Sequence, residues 1–432
     1  MGHYFGTDGI RGVVGETLTL AMAYQIGRAL KTVLMTEEAY VGTDTRLSKD
    51  SLKAALFEGA KAEGVTLLDA GIVPTPAMAA FSAHHSAVTV MVTASHNPYT
   101  DNGIKVFDRG QKLTEIQELE IEALFEEDSP EIDETVLLPK TEEVLTHYYK
   151  LFDLRPTNLN VLIDTANGAL YEVAPTLLSQ QAKRLKVLHN TPNGRNINLN
   201  CGSTHIETLV KSTECRGFDV GFSFDGDGDR VLAMDCDGHI YTGDHLLFVL
   251  AQYLKHRGLL VNNTVVLTVM SNPGILNSYK RSGIHVVTTP VGDKHVAQAM
   301  VEGDFTLGGE NSGHIIDANH LYTGDGVWIA ARILRIMEKT KKTLAELTQA
   351  IHYYPETLTN LKGIDGSVLE HPEVEALKEA TQQRFGELGK VLLRKSGTEA
   401  LVRVYVSHKD HARMQEAHDQ LIQTIQKAAQ DA

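Results

Sequence analysis

Tyr40-Val41-Gly42-Thr43-Asp44 is a short apolar run that ends in a polar turn. A helical segment follows from Ser51 to Glu63, with Leu52, Leu56 and Ala60 on one face and Gly64 closing it. Val65-Thr66-Leu67-Leu68 then reads as a second strand. Strand, helix and strand at this spacing predict a βαβ unit. The pattern recurs twice. Val161-Leu162-Ile163-Asp164, a helix near Tyr171 to Gln181, and Leu185-Lys186-Val187-Leu188 make the second copy. Val265-Val266-Leu267-Thr268, a helix near Gly274 to Arg281, and Ile284-His285-Val286-Val287 make the third. Three copies predict three related α/β domains in tandem, each with a mostly parallel sheet. The acidic hinge near Glu126 to Glu134 argues against one large sheet.

The tail from Leu361 to Ala432 has a different order. A helix (Pro372 to Phe385), two strands (Val391 to Arg394, Leu401 to Val406) and a closing helix (Asp410 to Ala428) predict a small α+β domain. Tyr354-Pro355 is the expected hinge, because proline disfavours a helix running through the junction. The expected division is 1–147, 148–243, 244–356 and 357–432.

The chain has 432 residues, too many for one ordinary core. No basic segment followed by an apolar one opens it, and no apolar run approaches the ~18 residues of a membrane span. Three widely spaced cysteines, Cys201, Cys215 and Cys236, fit a reduced cytoplasmic compartment and show no zinc spacing. The net charge of -15 argues against nucleic acid as a partner, since phosphate-backbone binding needs a basic footprint. A site for a small anionic substrate must then be locally basic.

Four polar loops carry the chemistry. The first, Thr93-Ala94-Ser95-His96-Asn97-Pro98, leaves the apolar run Val88-Thr89-Val90-Met91-Val92. A hydroxyl there is held by a rigid strand yet open to a ligand. The second, Asp225-Gly226-Asp227-Gly228-Asp229-Arg230, lies between two strand-like runs. Alternating residues share a face, and the glycines let three carboxylates converge. Three hard oxygen ligands suit Mg²⁺. An EF-hand does not fit, because position six is Arg230 and position twelve is Cys236. The third, Gly308-Gly309-Glu310-Asn311-Ser312-Gly313-His314, offers Glu310 and Ser312 to sugar hydroxyls and His314 to protons or phosphate. The fourth, Arg394-Lys395-Ser396-Gly397-Thr398-Glu399 with Arg403 beyond it, suits a phosphate through arginine forks and a backbone nest.

Arg11, in a glycine-rich turn, and Lys105, just after the Ser95 loop, are expected to face Ser95; His96 is a weaker candidate there. Three carboxylates around a divalent ion leave about -1, and a phosphate on Ser95 would add about -1.5 to -2. Nearby cations would offset that charge. The parts together imply phosphoryl transfer through a serine, assisted by Mg²⁺.

These motifs, in this order, resemble the α-D-phosphohexomutase superfamily over nearly the whole chain. The opening Tyr4-Phe5-Gly6-Thr7-Asp8-Gly9-Ile10-Arg11-Gly12 and the Glu310 loop resemble its glucosamine branch. The resemblance implies three α/β/α domains and a smaller C-terminal α+β domain around a central cleft. It implies that Ser95 is carried as phosphoserine. One Mg²⁺ would be held by Asp225, Asp227 and Asp229, with Ser95 as a further ligand. Substrate binding is implied for Asp293, Lys294, Glu310, Ser312, His314, Arg394, Ser396, Gly397, Thr398 and Arg403. The implied reaction converts glucosamine 6-phosphate to glucosamine 1-phosphate through a 1,6-bisphosphate of glucosamine or glucose, feeding UDP-N-acetylglucosamine and cell-wall synthesis. The implied partner is a small sugar phosphate, with no nucleic acid or membrane, and a homodimer stays open. A sister activity on mannose or glucose phosphates also stays open. Two departures from the branch stand out. Val291-Gly292-Asp293-Lys294-His295 has Lys-His where Arg-Tyr is usual, and Ala400 replaces a proline.

Overall fold

The computed structural model describes residues 4–126, 130–136, 138–211, 216–395 and 401–431. The chain divides into two compact units, Met1–Val269 with Val287–Leu347, and Met270–Val286 with Thr348–Ala432.

Three of the sheets share one design. The first contains β1 (Ile10–Val13), β2 (Glu38–Thr43), β3 (Thr66–Ile72), β4 (Val88–Val92), β5 (Asp101–Asp108) and β6 (Gln111–Lys112), with order β1-β5-β4-β2-β3 and β6 beside β5. The second contains β7 (Asn160–Asp164), β8 (Arg184–Leu188), β9 (Val220–Phe224), β10 (Val231–Met234) and β11 (Ile240–Tyr241), ordered β11-β10-β9-β7-β8. The third contains β12 (Thr264–Thr268), β13 (His285–Thr289), β14 (Leu307–Gly309) and β15 (Ile315–Asp317), ordered β13-β12-β14-β15. The three-copy reading of the sequence therefore holds. The strands β2, β4, β7, β9 and β12 are buried along nearly their whole length, as strands covered on both faces must be.

The sheets are mixed rather than mostly parallel. β2 runs parallel to β3 and β4, β7 to β8 and β9, and β12 to β14. A fourth strand then turns back: β5 is antiparallel to β4, β10 to β9, and β15 to β14. The connections 93–100, 225–230 and 310–314 are too short for a parallel crossover, so each closes a hairpin. Those hairpin loops are the first three polar loops of the sequence. The same topological position thus carries the chemistry in all three sheets.

The predicted helix near Tyr171 to Gln181 is shorter, Val173–Leu178. Ala166 and Asn167 take φ of 55° and 50°, so the chain coils through a turn before the helix starts. The acidic hinge lies partly outside the described residues, at 127–129.

The second unit contains β16 (Glu356–Lys362), β17 (Gly389–Lys395) and β18 (Leu401–His408), an antiparallel sheet ordered β16-β18-β17. The helices Pro372–Phe385 and His411–Asp431 pack on this sheet over a core that includes Val374, Val402, Val404, Val406, Leu421 and Ile425, and the unit also holds the helix Pro273–Arg281. This is the expected α+β pattern.

Candidate active site

Ser95 is fully buried and takes a left-handed backbone, φ 51°. That conformation costs a non-glycine residue about 1–2 kcal/mol, so its surroundings must hold it. The Thr93 hydroxyl accepts from the Ser95 N–H at 2.9 Å and donates to Asp44 at 2.7 Å. Arg46, also fully buried, pairs with Asp44 at 2.9 Å. Its guanidinium donates to the carbonyl oxygens of Ser95 at 3.0 Å, Asn97 at 2.9 Å and Asp101 at 2.9 Å, and also to Pro98. From the second sheet's side, Asn198 donates to the carbonyls of Ser95 at 2.8 Å and Asn97 at 3.0 Å.

The Ser95 hydroxyl points at the aspartate loop and donates to Asp225 Oδ2 at 2.5 Å. Asp225 Oδ1 accepts from the N–H groups of Gly228 and Arg230, each at 3.1 Å. Gly228 takes φ 79°, which lets the loop fold back on Asp225. Thr75 donates to Asp227 Oδ2 at 2.5 Å. Lys105 Nζ sits 2.7 Å from Asp227, 3.0 Å from Asp229 and 2.9 Å from Asp8.

One oxygen from each of Asp225, Asp227 and Asp229 lies within 4.8 Å of the other two, and all three residues are buried. Burial, with Asp229 and Asp227 adding to it, pushes the Asp225 carboxyl well above its usual range. Burial would raise Asp229 as well, but Lys105 and His314 hold it at about 2. Asp227 Oδ1 and Asp229 Oδ1 are buried acceptors without a hydrogen-bond partner among the described residues. Buried anionic oxygens without a donor are costly. Clustered hard oxygens of this kind fit a divalent cation such as Mg²⁺.

Burial would lower Lys105, yet Asp227, Asp229 and Asp8 raise it well above the usual lysine range. It is therefore protonated. His96 Nδ1 lies 3.2 Å from the Ser95 hydroxyl. Burial, then the charges of Arg230 and Arg11, push that imidazole down to about 3, so it is neutral near pH 7. Arg11 pairs with Asp8, and Lys112 joins Asp8 at 2.6 Å and also pairs with Asp293.

The third loop meets the second. Arg230 and His314 form an antiparallel bridge, and Val231 N–H donates to the Gly313 carbonyl at 3.1 Å. Glu310 accepts from the Gly292 N–H at 3.1 Å. His314 Nε2 stands 3.4 Å from Asp293 and accepts from the Gly324 N–H at 3.3 Å. A cavity of about 660 Å³ opens beside these groups, lined by Lys112, Asp293, Lys294, His314 and Tyr322 among others. That volume suits a small-molecule ligand.

The structure thus brings together Ser95, His96, Lys105, Arg11, the three aspartates, Asp293, Glu310 and His314. Lys294 lies at the cavity wall with its ammonium held by Glu118 at 2.8 Å. Ser312 is exposed on its loop. Arg394 and Arg403, in the second unit, are exposed cross-strand partners on β17 and β18. Ser396, Gly397 and Thr398 lie outside the described residues. Sequence reasoning missed Asp8, Asp44, Arg46, Thr75, Lys112 and Asn198. Asp44 and Arg46 had a signal, since they end β2 in the same kind of polar turn as the other loops.

The comparisons agree with this architecture. Models of the phosphoglucomutase/phosphomannomutase family match in order: alpha/beta/alpha domain I over residues 2–131, domain II over 142–238, domain III over 242–354 and the C-terminal domain over 357–424. A phosphoglucosamine mutase of Acetivibrio thermocellus is 40% identical, covering 99% of this chain and 99% of its own. One from Rubrobacter xylanophilus is 42% identical over 94% of this chain and 93% of its own. Two solved structures share the fold. A phosphoglucomutase/phosphomannomutase family protein from Burkholderia thailandensis has a TM-score of 0.80 at 24% identity, covering 98% of this chain and 97% of its own. Aspergillus fumigatus N-acetylphosphoglucosamine mutase, solved with GlcNAc-6P and magnesium, has a TM-score of 0.71 at 17% identity, covering 99% and 96%. Four domain models in register and full-length relatives at this identity lead to one conclusion: the chain belongs to the phosphoglucomutase/phosphomannomutase family.

Proposed function

We propose that this chain is a phosphoglucosamine mutase, converting glucosamine 6-phosphate to glucosamine 1-phosphate through phospho-Ser95 and a 1,6-bisphosphate. One observation carries the reading: the Ser95 hydroxyl lies 2.5 Å from Asp225, inside a buried cluster of three aspartates. The full-length relatives named phosphoglucosamine mutase supply the substrate class.

Asp225, Asp227 and Asp229 would hold Mg²⁺, with the Ser95 phosphoryl oxygens nearby. The bound ion supplies positive charge that stabilises the transferring phosphoryl group. In the first half-reaction the Ser95 Oγ–P bond breaks and a bond from phosphorus to the sugar O1 forms. The O1 proton is released as that bond forms; His96, held down at about 3, is too weak a base to keep it and stays neutral beside the Ser95 oxygen. Protonated Lys105 offsets charge on the departing Ser95 oxygen. The intermediate then turns over, its O6–P bond breaks, Ser95 Oγ–P re-forms and O6 regains a proton. No free phosphate leaves. Arg394, Arg403 and the Ser396-Gly397-Thr398 loop would hold the phosphate that is not reacting, and Glu310, Ser312 and His314 the sugar hydroxyls. Arg11 and Lys112 supply positive charge beside Asp8.

Intact mass before and after incubation with glucose 1,6-bisphosphate should show one added phosphate mapping to Ser95. Ser95→Ala should take neither the phosphate nor substrate through the reaction; full mutase activity in that variant would sink the mechanism. Turnover on glucosamine, glucose and mannose 6-phosphates settles the sugar. Faster turnover of mannose or glucose phosphate would make the chain a sister enzyme instead. Discrimination between such near-isosteres is only about 10²-fold where a pocket lacks dedicated hydrogen bonds, so cross-activity is expected.

A further inference from the structure

A second cluster of metal-binding side chains lies outside the phosphoryl-transfer groups. The helix Thr75–His85 ends in adjacent imidazoles, His84 and His85. His147, on the helix Glu143–Lys150, packs against both, with ring centroids 4.5 Å from His84 and 5.3 Å from His85. One ring nitrogen of each histidine lies within 4.8 Å of those of the other two. Phe81 stacks on the His85 ring at 4.2 Å. His84 and His85 are exposed and His147 is half-buried. No hydrogen bond links their ring nitrogens to another side chain among the described residues.

We propose that His84, His85 and His147 form a binding site for a borderline divalent transition metal, with Zn²⁺ as the probe, separate from the aspartate cluster. Three imidazoles suit Zn²⁺, Ni²⁺ or Cu²⁺ and not Mg²⁺, which takes oxygen. Tetrahedral bonds of about 2.0–2.1 Å need donors roughly 3.3 Å apart, so the rings must close by rotating, which exposed side chains can do. Solvent supplies the fourth ligand. The C-terminal end of the helix Thr75–His85 also favours a cation. An ion here would clip two anchored helices together. Thr75, at the other end of the first, donates to Asp227 at 2.5 Å. Tyr148, next to His147, donates to Asp325 at 2.9 Å.

The test is a Zn²⁺ titration of the full chain, free of any affinity tag, against a chromogenic chelator in excess Mg²⁺. One tight Zn²⁺ equivalent is expected. His84→Ala and His147→Ala should each weaken it by about tenfold or more, since even an outer-shell partner costs that much. His239→Ala should leave it unchanged, because that residue belongs to the separate Asp235, Asp237 and His239 group. Circular dichroism checks that the surface variants fold. No Zn²⁺ retained against the chelator, unchanged affinity in His147→Ala, or loss of binding in His239→Ala would each overturn the proposal.

Discussion

The fully buried guanidinium of Arg46 donates to the carbonyl oxygen of Ser95 at 3.0 Å. It reaches Asp44, Asn97 and Asp101 with its other N–H groups, so one planar fork fixes both ends of the serine loop. Arg46→Lys keeps the charge but cannot span those acceptors. A misplacement of about 1 Å at a reacting group can cost 10²-fold in rate, and a loss of that order in kcat is expected. KM for the sugar phosphate should change little, because Arg46 reaches no group of the cavity described above. A rise in KM alone would assign Arg46 to binding instead.

Gly226 backs the same carbonyl. A Cβ there would lie 2.4 Å from the Ser95 oxygen and 2.9 Å from Asn198 Nδ2. Gly226→Ala must push the serine loop away from Asp225, since backbone cannot yield as a flexible side chain does. Overpacking of this kind costs about 1–3 kcal/mol. The expected result is a lower thermal midpoint together with a fall in kcat of about 10²-fold. Wild-type kcat in this variant would show that the tight backbone contact is not needed for transfer.

Lys105 holds the aspartate cluster together electrostatically. It lies within 3.0 Å of Asp8, Asp227 and Asp229. Lys105→Met removes the lysine partner of Asp227 and Asp229, while Asp8 keeps Arg11 and Lys112; losing one partner of a buried pair costs roughly 3–5 kcal/mol. Mg²⁺ and Lys105 neutralise the same charges. Added Mg²⁺ should therefore raise the melting temperature of Lys105→Met more than that of the unaltered protein. Equal shifts in the two proteins would separate the lysine from the metal site.

The loops with Asp225, Glu310 and Ser95 were legible because local composition marks them: alternating aspartate and glycine, clustered glycines, and a polar stretch after a β-branched strand. What completes the site was not. Arg46 and Asn198 meet at the Ser95 carbonyl from 49 and 103 residues away in sequence. They bind backbone atoms, which no side-chain pattern can encode. The copies of the βαβ unit were read from hydrophobic periodicity, but the antiparallel fourth strand was not, because periodicity does not report strand direction. Its direction follows from the short loops 93–100, 225–230 and 310–314. Those lengths were visible in the sequence and would have given the mixed sheets.

His245 makes stability depend on pH. Burial pushes its imidazole down to about 4, against an ordinary value of about 6.5. Between those values the unfolded chain binds the proton and the folded chain does not. The contribution to stability is complete above about pH 6.5 and is lost as pH falls toward 4. His245 Nδ1 accepts from the Thr242 N–H at 3.2 Å, at the start of the helix Gly243–His256. Glutamine at the same helical position can accept that bond and does not titrate. His245→Gln should therefore flatten the fall in stability between about pH 7.5 and pH 5, by an amount on the order of 1–3 kcal/mol. Thermal midpoints of both proteins at the two pH values measure it. Parallel curves would mean that other groups carry the whole dependence and that His245 takes up its proton without opening the helix start.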